Sequence, residues 1–304
     1  MRTRLLSRAF KVLAALGLAT ACASPADHVD GIVVMRSADG LPLSAEVRGE
    51  GEPAVVFIHG WSCDRTYWLG QMVAFAPAHR VVAIDLGGHG GSGLDRSEWT
   101  ISSFATDVQT VVEQLDLESA VLVGHSLGGA VAVEAALLMP DRVVAVVGVD
   151  TFMDDMTQLT DDMTAPWLEG WQRDFAGFTA EVVRTGLFLP TTDSALVAAV
   201  VADMAAAPPK VAIPAIQSLW AWGTGRFGTA IDSLDVPLRI IQSEANARLD
   251  FVTARAQHLP SFGVSIVPGV SHFLMMEVPE QFNGELAAAI EDALHTASGA
   301  VTTE

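Results

Sequence analysis

The stretch Ala120-Val121-Leu122-Val123-Gly124-His125-Ser126-Leu127-Gly128-Gly129 decides how the rest of the chain is read. An apolar run, of the kind buried on both faces of a parallel sheet, passes into Gly-x-Ser-x-Gly. Ala130, Ala132, Ala135 and Ala136 follow, small residues that suit a helix packed close to a sheet. The pattern predicts a strand, a tight turn and a helix. A serine on such a turn is held in strained backbone geometry with its Oγ exposed. Gly124 and Gly128 flank it because a Cβ there would clash. The Leu127 N–H then sits at the helix N-terminus, where free N–H groups and the positive end of the dipole stabilise an oxyanion. Ser126 is the candidate nucleophile and Leu127 a candidate oxyanion donor.

Outward from this turn, strands and helices alternate. Residues 32–35 and 43–47 read as two short strands joined at Asp39-Gly40, a hairpin. Residues 54–58 form a continuous apolar run, and 80–84, 143–149, 237–241 and 263–267 repeat that type, as expected of strands covered on both faces. Ile101, Phe104, Val108, Val111, Val112 and Leu115 follow the helical period, as do Phe282, Leu286, Ile290 and Leu294. The alternation predicts an α/β fold with a doubly wound, mostly parallel sheet. Residues 31–150 and 235–304 form its core. Residues 151–234 offer no clear strand and read as a helical cap carrying Trp167, Trp171, Trp220 and Trp222, some of which are expected to line a substrate pocket.

Composition narrows the function. Of 304 residues, 50% are apolar and 17% charged, enough to bury a core and to exclude global disorder. Lys plus Arg is 17 against Asp plus Glu at 36, a net charge of −19, so nucleic acid is excluded as a partner. Two cysteines, Cys22 and Cys63, are too few for a disulfide scaffold or a cysteine-based zinc site.

The N-terminus reads as a targeting segment. Arg2, Arg4, Arg8 and Lys11 precede an apolar run from Val12 to Ala21, the layout of a signal peptide over residues 1–21. Ala19-Thr20-Ala21-Cys22 resembles the lipobox of bacterial lipoproteins, with Ala19 where Leu is usual. That resemblance implies an exported protein lipidated at Cys22, with residues 22–30 as a tether, or else a secreted or periplasmic one. Removing residues 1–21 takes away four cations and no anion, which moves the net charge from −19 to −23.

With the strand-turn-serine-helix stretch in place, the chain resembles the α/β-hydrolase fold family over nearly all of residues 31–297. His59-Gly60-Trp61 looks like the family's oxyanion loop, which makes the Trp61 N–H the second oxyanion donor by resemblance. Asp85-Leu86-Gly87-Gly88-His89-Gly90-Gly91-Ser92 resembles the family's Asp-x-x-Gly-His-Gly-x-Ser support segment. An Arg is common where Gly87 stands, so a stabilising contact is expected to be missing. His59 and His89 read as structural histidines. His272, in the loop after the last strand, occupies the family's place for the general base.

The triad acid is open in the sequence. The family usually supplies an Asp a few residues after the strand at 237–241, where this chain has Asn246. Asp150 ends the wholly apolar run before it and keeps the order Ser, Asp, His. It also reads as a helix N-cap. Glu244 and Asp250 are the alternatives, with Asp150 preferred. Cys63 reads as a small buried thiol.

The resemblance implies a serine hydrolase that cleaves carboxylic esters of small to medium apolar substrates through an acyl-enzyme, without metal or organic cofactor. Lactonase, amidase, peptidase and C–C hydrolase activities stay open within it. A catalytically silent binding protein of the same fold is the alternative, supported by Asn246 alone.

Overall fold

The computed structural model describes residues 30–152 and 155–299. The signal segment, Cys22 and all of the tether but Asp30 lie outside the described residues. Eight strands form one sheet, in the order β1-β2-β4-β3-β5-β6-β7-β8. They are β1 (Gly31–Arg36), β2 (Pro42–Arg48), β3 (Ala54–Ile58), β4 (Val81–Ile84), β5 (Ala120–His125), β6 (Val143–Val149), β7 (Leu238–Ser243) and β8 (Phe262–Val267). The first hairpin pairs antiparallel, β2 joins β4 antiparallel, and every later pairing is parallel. Every residue of β3, β4, β5 and β7 is buried; β3 and β4 are unbroken apolar runs, whereas β7 also buries Arg239, Gln242 and Ser243.

Helices α1 (Leu69–Phe75), α2 (Ile101–Gln114) and α3 (Leu127–Leu138) lie between the early strands. Thr100 and Ser103 start α2 by exchanging side-chain and backbone hydrogen bonds, a reciprocal cap that stabilises the helix by about 1 kcal/mol. Between β6 and β7 there are only helices among the described residues: α4 (Asp161–Arg173), α5 (Phe175–Gly186), α6 (Ser194–Ala205), α7 (Pro209–Gly225) and α8 (Phe227–Asp232). Helix α9 (Asp250–Arg255) precedes β8, and α10 (Leu274–Glu277) and α11 (Pro279–Gly299) close the described chain.

Polar bonds pin the helical segment to the rest. The Trp61 indole N–H donates to Ala212 O at 2.7 Å, and the Trp222 indole N–H donates to Glu134 Oε1 at 2.6 Å. The Tyr67 hydroxyl donates to Asp203 Oδ2 at 2.8 Å.

One strand departs from the expectation. The run at 263–267 is not covered on both faces: Val264 and Ile266 are 41% and 43% exposed. β8 ends the sheet, so it has a neighbour on one side only. Its composition matches that of the central strands, and only its place in the strand order sets it apart.

The strand order also locates the site. From β3 the chain crosses outward to β4 and then returns to β5 on β3's other side. At such a switch point the loops after the two strands diverge and leave a crevice at their carboxyl ends. His59-Gly60-Trp61 follows β3, and Ser126 follows β5.

Candidate active site

Ser126 stands between the last residue of β5 and the first of α3, with φ 53° and ψ −118°. A non-glycine residue held at positive φ costs on the order of 1–3 kcal/mol and persists only where its surroundings over-determine it. The Ser126 N–H donates to Val149 O at 3.0 Å. Its carbonyl accepts from the Gly129 N–H at 2.9 Å and from the Thr151 hydroxyl at 2.8 Å. The flanking glycines are required by contact. A Cβ on Gly124 would overlap the Gly128 carbonyl, and one on Gly128 would lie 2.5 Å from Ile58 O. The β3 loop abuts the serine as well: a Cβ on Gly60 would come 3.2 Å from Ser126 Cβ and 2.9 Å from His125 Nδ1. Leu127 is the first residue of α3, where backbone N–H groups have no partner within the helix.

His272 lies in the loop after β8 and is 4% exposed. Its Nδ1 is 2.7 Å from Asp150 Oδ2. Asp150 is fully buried at the end of β6, with φ 43°, a conformation Asp tolerates better than most residues. Its Oδ1 accepts the Ser243 N–H at 2.8 Å, and its Oδ2 also accepts the Asn246 side-chain amide at 2.6 Å. Burial works against the charge on this carboxylate. The hydrogen bond and charge of His272, with the Ser243 and Asn246 donors, outweigh burial and hold Asp150 below its ordinary range. Asp150 is therefore not a helix cap.

The alternatives fall elsewhere. Glu244 is exposed, and its Oε2 accepts the Gly269 N–H at 3.2 Å, in the loop that leads to His272. Asp250 is exposed at the start of α9.

His59 and His89 hold loop backbone. His59 Nε2 accepts the Leu86 N–H at 3.0 Å, so its Nδ1 carries the proton and donates to Gly60 O at 2.8 Å. Burial lowers its pKa to about 4, and lowers that of His89, which donates from Nδ1 to Gly87 O, to about 3. The contact expected to be missing at Gly87 is supplied from a distance. The Arg96 guanidinium fills the space a Cβ at Gly87 would need and pairs with both oxygens of Asp107, at 2.8 and 2.6 Å. Asp107 Oδ2 also accepts the Gly87 N–H. Cys63 is a buried free thiol, raised further above its ordinary pKa by burial, and donates to Trp61 O.

Three residues near the site carry no sequence signal of their own. His125 donates from Nε2 to His272 O at 2.9 Å, which fixes the backbone of that loop; burial and the neighbouring His272 lower its pKa to about 3. Glu277 accepts from the Ser271 N–H and hydroxyl and from the Thr192 hydroxyl of the helical segment. Asn246 was legible only as the lack of an acid, and it is a donor to Asp150.

A cavity of about 80 Å³ opens at Ser126, and Trp222 alone of the four cap tryptophans lines it. Trp171 instead packs on Trp61, Trp167 and Trp220. A larger recess of about 210 Å³ lies between Ser62–Asp64 and Asp203–Pro208, and neither Ser126 nor His272 lines it.

Residues 53–192 match the family described as alpha/beta hydrolase fold. Over 108 residues the chain is 38% identical to the dihydrolipoyllysine-residue acetyltransferase component of the acetoin cleaving system of Cupriavidus necator, a match covering 36% of this chain and 29% of that protein. The matched stretch amounts to about a third of the length of the curated relatives. Among solved structures, a bromoperoxidase from Bacillus anthracis superposes with a TM-score of 0.75 at 21% identity, over 86% of this chain and 100% of that one. A thermophilic esterase from Thermogutta terrifontis does so with a TM-score of 0.75 at 23% identity, over 86% and 98%. The chain has the α/β-hydrolase fold, and its residues 53–192 carry the match to that family.

Proposed function

We propose that the protein is a serine hydrolase that cleaves carboxylic esters of small to medium apolar substrates through an acyl-enzyme. The observation that carries this reading is the buried Asp150–His272 pair at 2.7 Å, together with a serine on a strained strand-to-helix turn whose N–H bonds the carbonyl of Val149, the residue before Asp150. An ionised carboxylate only accepts hydrogen bonds, so His272 Nδ1 carries the proton and Nε2 keeps its lone pair. That nitrogen takes the Ser126 Oγ proton as Oγ attacks the carbonyl carbon. The N–H groups of Leu127 and Trp61 hold the developing oxyanion. The imidazolium, stabilised by Asp150, returns the proton to the leaving alkoxide. Water, activated by the same nitrogen, then releases the acid. A serine nucleophile favours acyl transfer over chemistry that needs a carboxylate nucleophile. The neighbours' names differ among themselves, so the reading rests on the site.

Fluorophosphonate labelling with peptide mass spectrometry tests it, with p-nitrophenyl esters assayed in parallel. Stoichiometric adduct on Ser126 with ester turnover is the expected result. A serine that takes no adduct would favour the silent binding protein. We further propose export with lipid on Cys22. Intact mass of protein from a bacterial host checks this, and an unlipidated mature chain would refute the anchor.

A further inference from the structure

The cavity at Ser126 is lined, among the described residues, by Ala130, Thr151, Phe152, Met156, Leu219 and Trp222. We infer that it is the acyl-binding pocket and that it admits only short acyl chains without an anionic group, up to about six carbons. The inference rests on the serine-hydrolase reading above and deepens it.

Direction comes first. In that reaction the leaving group must receive a proton from His272, so it departs on the side of the loop that carries His272. No residue of 268–273 lines the cavity. The acyl chain is the substituent left to occupy it.

Size comes next. At about 80 Å³ the cavity is far below the roughly 300–1,000 Å³ of sites that enclose a drug-sized ligand. One water-sized group needs roughly 10–15 Å³ of such volume, which leaves room for about six. The walls are also fixed. The Trp222 indole is bonded to Glu134, which in turn accepts from Arg226 Nε at 2.9 Å. Trp222 packs on Phe152 and Phe227. Met156 lies so close to α7 that a Cβ on Gly223 would come 2.5 Å from it.

Polarity completes the case. Among the described residues, and besides Ser126, the polar side-chain groups in the lining are the Thr151 hydroxyl and the Trp222 N–H. Both hydrogens are already donated, to Ser126 O and Glu134 Oε1. An anionic acyl chain, which needs donors, would lose its hydration there without gaining a partner.

The test uses alkylphosphonate p-nitrophenyl esters with ethyl, butyl and decyl groups, whose alkyl arm stands in for the acyl chain. The rate of Ser126 labelling is followed by nitrophenolate release and mass spectrometry. Esters of the same lengths, and a succinyl ester, are read as kcat/KM in parallel. The butyl probe is expected to label roughly 100-fold faster than the decyl probe, a discrimination that a few misfitting methylenes supply. Leu219→Ala and Trp222→Ala are each expected to raise the decyl-to-butyl ratio at least about tenfold. Leu219→Ala keeps the Glu134 bond in place should Trp222→Ala fold poorly. Equal labelling by butyl and decyl probes, or a ratio that neither variant moves, would overturn the pocket and leave the serine-hydrolase reading standing. Failure of every probe to label Ser126 would overturn that reading and the pocket with it.

Discussion

At the end of β5 the chain turns through Ser126 with φ 53° and ψ −118°, whereas at the end of β7 it relaxes into a short 3-10 turn over Glu244–Asn246. Both strand ends are places where the family puts chemistry, yet they are constrained differently. Around Ser126 the constraint is backbone against backbone. Gly124 has no room beside Gly128, and Gly128 has none beside Ile58. After β7 no such contact fixes a residue type. The proposed mechanism requires that some carboxylate reach His272 Nδ1, and Asp150 reaches it from the end of the neighbouring strand β6. Asn246 then accompanies the acid, donating to the same oxygen. Ser126 is tied to its place by backbone sterics on both sides of the turn. Asp150, also at positive φ, is tied by side-chain hydrogen bonds to His272, Ser243 and Asn246, and for its contact with His272 a side-chain distance decides.

The comparison breaks most sharply at the nucleophile. Under the proposed mechanism Ser126→Ala removes the attacking atom, and kcat is expected to fall about 10⁵- to 10⁶-fold, as when the serine of other triads is deleted. Residual turnover within tenfold of the parent, measured with a p-nitrophenyl ester, would place the nucleophile elsewhere. Asp150→Asn is the next largest. It keeps the shape but offers His272 a donor where an acceptor is needed, and about 10⁴-fold is expected to be lost from kcat. Unchanged turnover would remove Asp150 from the mechanism.

The sharpest probe of the difference between the two strand ends is an exchange. If the acid is held only by distance, Asp150→Asn combined with Asn246→Asp returns a carboxylate to the same cluster with the amide alongside it. Kinetics of the double variant are expected to recover about tenfold or more over Asp150→Asn alone, because a carboxylate within ~6 Å still stabilises an imidazolium by about 3 kcal/mol at intermediate dielectric. No recovery in a folded double variant would mean that the β6 position is fixed as rigidly as the serine.

The same distinction explains what could be read in the sequence. The central strands and the β5–α3 turn were legible because apolar runs and flanking glycines are local. The eight-strand sheet follows from those runs, and Ser126, Leu127, Asp150 and His272 lie at the strand ends and loops where the pattern put them. In the sequence β8 reads as covered because Val264 and Ile266 look like any core pair, and the structure shows them exposed on the strand that ends the sheet. Arg96 was missed because its guanidinium reaches Gly87 from nine positions along the chain. The choice of Asp150 over Glu244 was open for the same reason: a distance between two strand ends has no sequence period. In the helical segment, no tryptophan's own neighbours in sequence tell which one faces Ser126.

The smallest expected effect isolates the Asn246 amide. Asn246→Ala removes one donor from Asp150 and leaves the His272 and Ser243 contacts. A hydrogen bond to a charged group contributes about 1.5–3 kcal/mol, so a loss of that order is expected at neutral pH. Its pH dependence has a definite sign. Asp150 is held below the ordinary carboxylate range in the folded protein, so it contributes stability that is present above that range and is lost as pH falls through its folded pKa. Removing Asn246 moves that pKa upward, against an undiminished burial penalty, and the loss begins at higher pH. Thermal unfolding of parent and variant from pH 7 to about pH 2 is expected to show a gap in Tm at pH 7 that closes only below the ordinary carboxylate range, where Asp150 of the parent is protonated too. Glu244→Gln, at the same turn but bonded through its side chain, among the described residues, to the Gly269 N–H alone, is expected to leave both curves and kcat within about twofold of the parent. A variant at Glu244 that behaved like one at Asn246 would show that the whole turn, and not one amide reaching one oxygen, supports the acid.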